Sequence, residues 1–460
     1  MLTERTFRPF EPDQLLLLPP SLKEWLPSNH LANFILDLLA KLNLKEILSG
    51  YGGPTRGTQP YDPRMMVGLL LYAYCVGTAS SRKMAGRCVE DVAFRVLTGN
   101  QQPDFRTISD FRKAHLESLE RLFLQVLRLC QKAGLVKMGH VAIDGTKMKA
   151  NASKHKAMSY DRMQKEEERL KAEVKRMFRE AERIDEEEDR LYGKDKRGDE
   201  LPDELALREG RLKKIQEAMD ELEREAKEEA ERKRKENEGQ QSQRGRPAKP
   251  PSGVPDPKAQ KNFTDPESRI MPSSDNKGSF VQGYNCQAAV DNKEQIIVAA
   301  DVTQQANDKR QAEPMLDQVK ANTGKKPDQC SMDAGYFSEA NVTNIKGIEL
   351  LIPPDRQEHG AARPEAPRGP IPKDLSGADR MRRKLRTKKG RADYSKRKET
   401  VEPVFGQVKQ GRGFRQFLLR GLQKVKGEWS LICTTHNLLK LWRAGGMALI
   451  KPPGRSWAAG

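Results

Sequence analysis

Three carboxylates are set apart by their type and order: Asp144, Asp333 and Glu402. Asp144 follows the β-branched run HVAI, Asp333 closes the short run QCSM, and Glu402 falls in a helical stretch beyond the last strand-like segment. Carboxylates at strand ends face one edge of a sheet, and a helix packed across that sheet can bring a third to them. Three clustered carboxylates repel one another unless a cation joins them, and an all-oxygen ligand set suits Mg2+ or Mn2+. Two such ions, about 3.5–4 Å apart, can clamp the attacking and leaving oxygens of a phosphodiester. The order therefore predicts a two-ion site with Asp144, Asp333 and Glu402 as catalytic metal ligands. Singly, each residue has a plainer reading: Asp144-Gly145 as a turn, Asp333 as a helix cap, Glu402 as a solvated helix position with Glu399 as its rival one turn earlier.

A phosphodiester site needs a surface for the polyanion that carries it. The 460 residues include 83 Lys and Arg against 65 Asp and Glu, a formal net charge of +18. The excess is uneven. Residues 161–240 hold 28 acidic and 22 basic side chains, a net −6 that leaves +24 for the rest. The densest basic run, 380–398, has 11 cations against one acid and immediately precedes Glu402. Nucleic acid is the first partner such a balance suggests. Gly390 lies within the run and Gly377 just before it, and the run reads as a stretch that orders on DNA, with Arg382, Arg383, Lys384, Lys388, Lys389 and Lys398 as phosphate contacts.

Other classes fall away. No apolar run approaches the ~18 residues of a membrane span. The opening residues include acidic ones and only a four-leucine run, unlike a signal peptide. The six cysteines are scattered with no C-x-x-C pair, which argues against disulfide or thiolate zinc frameworks and for small buried apolar residues in a reducing compartment. None of the six histidines forms an H-x-x-x-H or H-E-x-x-H pattern, so His140 and His436 read as structural.

The elements that must position the carboxylates follow from periodicity. Residues 1–135 read as helical, with apolar positions at helical spacing over 30–48, a helix opened by Asp62-Pro63, another capped by Ser80, and one long helix over 108–134. HVAIDGTKMKA reads as strand, turn and second strand. Residues 161–238 predict two antiparallel helices of a coiled-coil-like hairpin broken near 193–202, followed by a mobile Pro/Gly/Ser/Gln linker over 239–260. Two alternating runs flank Asp291-Asn292 as a β-hairpin, then helix, strand to Asp333, a short helix capped by Ser338, strand 348–353, and helices over 397–410 and 434–446. The sum is an α/β protein: a mixed sheet of about five strands flanked by helices, an all-α N-terminal domain, and a charged helical insertion. The boundaries are 1–135, 140–445 with the insertion at 155–250, and a tail at 446–460.

Several segments resemble bacterial insertion-sequence transposases of the DDE class with an InsH-type N-terminal domain. YDPRMMVGLLLYAYCVGTASSRKMAGRC (61–88) and PDFRTISDFRKAH (103–115) resemble that N-terminal domain. AIDGTKMKANASK (142–154) resembles the first-Asp segment, VQGYNCQAAVD (281–291) with Asn307-Asp308 the strands before the second Asp, and MDAGYFSE (332–339) the second-Asp segment. RKETVEPVFGQVKQGRGFRQF (397–417) resembles the Glu segment and TTHNLLKL (434–441) its following helix. Tyr394, Arg397, Glu402 and Lys409 echo a Tyr–Arg–Glu–Lys pattern of related transposases, with the Arg-to-Glu gap one residue longer, which leaves Lys398 able to replace Arg397. Glu402 and Lys409 lie two turns apart on one helix face, where Lys409 can reach a phosphate.

The resemblance implies an RNase H-like core with two Mg2+ or Mn2+ held by Asp144, Asp333 and Glu402, and Tyr394, Arg397 and Lys409 beside DNA phosphate. It implies hydrolysis at terminal inverted repeats, then attack of the freed 3′-hydroxyl on target DNA. It also implies double-stranded DNA partners, a homodimer or larger assembly on paired ends, no membrane, and a cytoplasmic, nucleoid-associated location. Two alternatives stay open: a non-catalytic DNA-binding repressor derived from such an element, and an RNase H-fold nuclease.

Overall fold

The computed structural model describes residues 21–51, 59–192, 203–238, 253–273, 278–355 and 375–450, with 365–367, 369 and 372 between the last two. Among the described residues seven α-helices come first, after a 3-10 turn at Leu22–Trp25: α1 (Leu31–Leu39), α2 (Lys45–Ser49), α3 (Pro63–Cys75), α4 (Ser81–Glu90), α5 (Val92–Leu97), α6 (Phe105–Ala114) and α7 (Leu116–Lys132). Asp62 caps α3 by accepting from the Arg64 N–H, and the helix is buried nearly all round. Ser80 stands at the α4 cap position but makes no capping bond. The helical stretch expected over 30–48 is two helices. The long helix expected over 108–134 breaks at His115, where α6 hands over to α7.

Strand β1 (His140–Lys149) is continuous. The expected turn at Asp144-Gly145 is absent, because an antiparallel neighbour pairs with β1 without a break through both residues. It runs antiparallel to β5 (Phe280–Asp291) over Val141 to Lys149, and parallel to β7 (Gln329–Met332) over His140 to Ile143. Asp144 is therefore inside a strand rather than at its end, while Asp333 directly follows β7. The short β2 (Ala157–Ser159) leads into helices α8 (Tyr160–Tyr192) and α9 (Asp203–Glu238), and pairs with β3 (Gln260–Asn262).

The main sheet has six strands. They are β1, β5, β7, β4 (Arg269–Pro272) and β6 (Ile297–Thr303), both paired with β5, and β8 (Glu349–Leu351) beside β7. The β5–β6 hairpin matches the expected alternation. Strand β4 was not expected, because four residues give no readable period. Helix α10 (Ala312–Thr323) packs on β6 and α11 (Glu339–Asn344) follows the Asp333 turn. The basic run is not a loop. It forms α12 (Gly377–Arg386) and α13 (Lys388–Gly406), with Met381 and Leu385 turned inward and Arg380, Arg386, Lys388, Lys389 and Lys398 exposed. A π-helical turn, Gln407–Gly411, ends α13.

Helix α14 (Leu422–Arg443) joins the halves. It packs against α7 and α3 on one side and β6 on the other, so its run from Trp429 to Leu438 is buried throughout. Asn437 bonds both the N–H and the C=O of Ile297, at 2.8 Å each, as a strand partner would. The N-terminal helices and the sheet thus share one apolar core. Gly77, at φ +74°, lets the α3–α4 turn lie against the Arg412 carbonyl, where any Cβ would clash. The α8–α9 hairpin has its own smaller core of Tyr160, Met163, Leu170, Ile215, Met219 and Leu222. The break expected at 193–202 and most of the 239–260 linker lie outside the described residues. All six cysteines are buried and free.

Candidate active site

Register brings the first two carboxylates together. Ile143 pairs with Met332 across the parallel β1–β7 ladder, so the next residues, Asp144 and Asp333, are neighbours. The third arrives on α13, which packs over β1, β5 and β7. Arg397 makes the junction. Its Nη1 donates to Asp144 Oδ2 at 2.8 Å and its Nη2 to Glu402 Oε1 at 3.1 Å. Lys398 is exposed, and so is Glu399, whose backbone carbonyl accepts from Gln295. The Arg–Glu spacing, one residue longer than in the related pattern, still lets Arg397 reach the site.

Burial dominates the electrostatics. It pushes the Asp144 carboxyl up to about 7, with the Asp333 charge adding to the shift and Arg397 and the Gly145 N–H opposing it. Asp333 Oδ1 accepts from the Gly335 N–H at 2.9 Å and so caps a short 3-10 turn, Ala334–Tyr336. Tyr394 is part-buried against the core and beside Arg397, and burial raises its hydroxyl pKa. Lys409 Nζ donates to the Lys147 carbonyl at 2.9 Å. Its position in the π-turn tilts it toward β1 rather than straight along the Glu402 face.

The donor set is right in kind for a hard cation: carboxylate oxygens only. Among the described residues no three His, Cys, Asp or Glu side chains stand together as a ready metal cluster. The Arg397 guanidinium bridges Asp144 and Glu402, and its Nε is buried without a partner.

The basic residues divide. Arg382 is committed to Asp355 and Asp379, Lys384 to Glu349 and the Leu350 carbonyl, and Arg383 donates to the Gly369 carbonyl. Lys388, Lys389 and Lys398 are exposed. Sequence reasoning missed a second basic seam. The chain at 149–151 is tied to 415–420 by the Phe417 N–H to Lys149 carbonyl bond, 2.9 Å, and by Arg420 Nε to the Asn151 carbonyl, 2.8 Å. That brings exposed Lys149, Arg415 and Arg420 together. No local motif signals it, because the two segments are far apart in the chain. A polar cluster on the Gly145 side of β1, built on Lys147, Asn285, Gln287 and Asp308, was missed for the same reason.

Residues 252–438 match the family model of the transposase DDE domain, a span that includes Asp333 and Glu402 and begins after Asp144. Residues 20–114 match a transposase domain (DUF772). The curled mixed sheet with its flanking helices is accordingly an RNase H-like fold. The chain thus carries matches to two transposase domains, which together support an insertion-sequence DDE transposase. Neither a curated protein nor a solved structure matches the chain. Among the described residues no helix is long and apolar enough to cross a membrane.

Proposed function

We propose that the protein cleaves the ends of its own insertion sequence at Asp144, Asp333 and Glu402 and joins the freed 3′-hydroxyl to target DNA. The observation that carries this reading is Arg397, which spans Asp144 and Glu402 while the β1–β7 register sets Asp333 beside Asp144. The three carboxylates would hold divalent cations, two Mg2+ or Mn2+, which when bound supply Lewis-acid charge at the attacking and leaving oxygens. Arg397 holds two of the carboxylates at a fixed separation and offsets their repulsion. Tyr394 fixes the Arg397 side of the pocket. Lys409, anchored on β1, is placed to meet a phosphate next to the one being cut.

Exposed Lys388, Lys389 and Lys398 on α13 and the seam of Lys149, Arg415 and Arg420 flank the site and give the duplex two rails. Arg382, Arg383 and Lys384 serve first to fix α12. The N-terminal helices, with Arg82 and Lys83 exposed on α4, are the part we assign to terminal-repeat binding. Two protomers on paired ends complete the assembly.

The test uses purified protein and a linear duplex ending in the element's inverted repeats, with Mg2+ or Mn2+. Cleavage at the repeat and joining to a second duplex are expected. Asp144→Asn, Asp333→Asn and Glu402→Gln should each abolish both while end binding persists. Binding without cleavage by the wild type under any divalent ion would favour a repressor, and cleavage without joining a nuclease. Full activity in one variant removes that residue from the site.

A further inference from the structure

On the Gly145 side of β1 lies a mostly buried polar cluster that the site described above does not use. Gly145 pairs with Gln287 and Lys147 with Asn285, so these four share one side of the sheet. Asp308, on the loop after β6, reaches into that side. Its Oδ1 accepts from Asn285 Nδ2 at 2.6 Å and Gln287 Nε2 at 2.8 Å, and Lys147 Nζ stands 3.6 Å away. Asn285 Nδ2 also donates to the Gln305 carbonyl at 2.9 Å, and its Oδ1 accepts from Gln287 Nε2 at 3.1 Å. Gln287 Oε1 accepts from the Tyr336 hydroxyl. Asn285, Gln287 and Tyr336 are wholly buried.

The bonds have a direction. An ionised carboxylate only accepts, so Asp308 obliges both amides to turn their N–H groups toward it. Gln287 then presents its carbonyl to Tyr336, and the Tyr336 hydroxyl must donate. Tyr336 ends the 3-10 turn that Asp333 begins, and its own N–H bonds the Asp333 carbonyl at 3.2 Å. A chain of single-valued hydrogen bonds thus runs from Asp308 to the turn carrying Asp333. Gly145, next to Asp144, leaves the space for it. A Cβ there would stand 2.6 Å from Gln287 Nε2 and 2.8 Å from Asp308 Oδ1.

We propose that Asp308 is a positioning residue for the cleaving centre, acting through Gln287 and Tyr336 to fix Asp333. The inference rests on the assignment of Asp333 under the proposed function. Groups that orient a metal-binding carboxylate typically govern about 10–100-fold of metal affinity or activity.

The test compares wild type, Asp308→Asn, Tyr336→Phe and the double variant Asp308→Asn/Gln287→Glu. Three quantities are read: single-turnover cleavage of the end duplex, the Mn2+ concentration that half-saturates the rise in melting temperature, and end-DNA affinity. Asp308→Asn and Tyr336→Phe should slow cleavage by about 10–100-fold and raise the Mn2+ midpoint, with end-DNA affinity unchanged. In the double variant the introduced carboxylate at 287 accepts from both the new amide at 308 and Tyr336, so Tyr336 remains the donor, while the 287–308 bond runs the other way and Asn285 Oδ1 loses its donor from 287. Its rate and Mn2+ midpoint should return toward wild type. A structural or directly ligating role for Asp308 predicts no such rescue. Overturning results are an Asp308→Asn protein with wild-type rate and midpoint, or a double variant no better than the single. Should Asp308→Asn fail to fold, Tyr336→Phe and the double variant still decide. A wild type that neither cleaves nor responds to Mn2+ overturns the reading of the site itself, whereas a working wild type beside an unaffected Asp308→Asn overturns only the relay.

Discussion

At the scale of single residues, Arg397 is the most exposed to test. It touches two of the three carboxylates, whereas its neighbour Lys398 points to solvent. Arg397→Ala should cut the cleavage rate by about 10–100-fold, as loss of a group that orients metal ligands does. Lys398→Ala should leave that rate alone and weaken only salt-sensitive duplex binding. Arg397→Lys should not rescue, since an ammonium is a point charge and cannot fork between Asp144 and Glu402. Equal losses in the two alanine variants would refute the bridging role. Gly145 gives a second residue-scale test, read by urea denaturation. Overpacking a full site costs about 1–3 kcal/mol, so Gly145→Ala should lower stability by that order. Gly86, on α4, has open space where a Cβ would stand, and Gly86→Ala should be neutral or stabilising by about 0.4–1 kcal/mol.

At the scale of elements, what the sequence told and what it hid have physical causes. Helix α3 was readable because Asp62-Pro63 is a start signal and its apolar run is too uniform for a surface helix. The β5–β6 hairpin was readable from its alternation. Asp144-Gly145 misled because a turn dipeptide in isolation carries no information about the distant strand β5 that pairs through both residues. The basic run misled for a related reason. Its charge density suggests a solvated loop, but Met381 and Leu385 four residues apart supply the inward stripe of a helix. The sequence singles out Asp333, Glu402 and the pair Arg397 or Lys398 as candidates, and packing brings Arg397 rather than Lys398 onto Asp144 and Glu402. The α8–α9 hairpin was legible from its thin stripe, and its core is separate from the main one. Leu170→Asp with Ile215→Asp should therefore open the hairpin to protease within 160–238 while the main unfolding transition stays in place. A single shared loss of stability would show that hairpin and body unfold together.

At the scale of the whole molecule, α14 ties the N-terminal helices to the sheet, and its burial sets a pH dependence. His436 is buried on this helix with its Nε2 at 2.9 Å from the Gln295 carbonyl, to which it donates. Burial, reinforced by the charges of Arg412, Lys440 and Arg443, holds its pKa down to about 3. His140 on β1, bonded to Ser331, is held near 4, chiefly by burial and further by Lys396 against the opposing Asp393. Both are neutral in the fold and take a proton at ordinary histidine pH once unfolded. The unfolded chain therefore binds more protons than the folded one as pH falls below about 6.5, and stability falls with it. Between pH 7 and pH 5 each histidine should cost about 2 kcal/mol, from 1.36 kcal/mol per pKa unit. Asp144, raised to about 7, titrates over the same range with the opposite sign, so total stability is not the quantity to read. The difference between wild type and His436→Gln isolates the histidine, because glutamine keeps a donor for the Gln295 carbonyl and does not titrate. Urea midpoints at pH 7 and pH 5 should show the gap moving by about 2 kcal/mol in favour of the variant as the pH drops. A gap that stays constant would mean that His436 accepts its proton inside the fold, and that the junction α14 forms between the two halves is open enough for water to reach it.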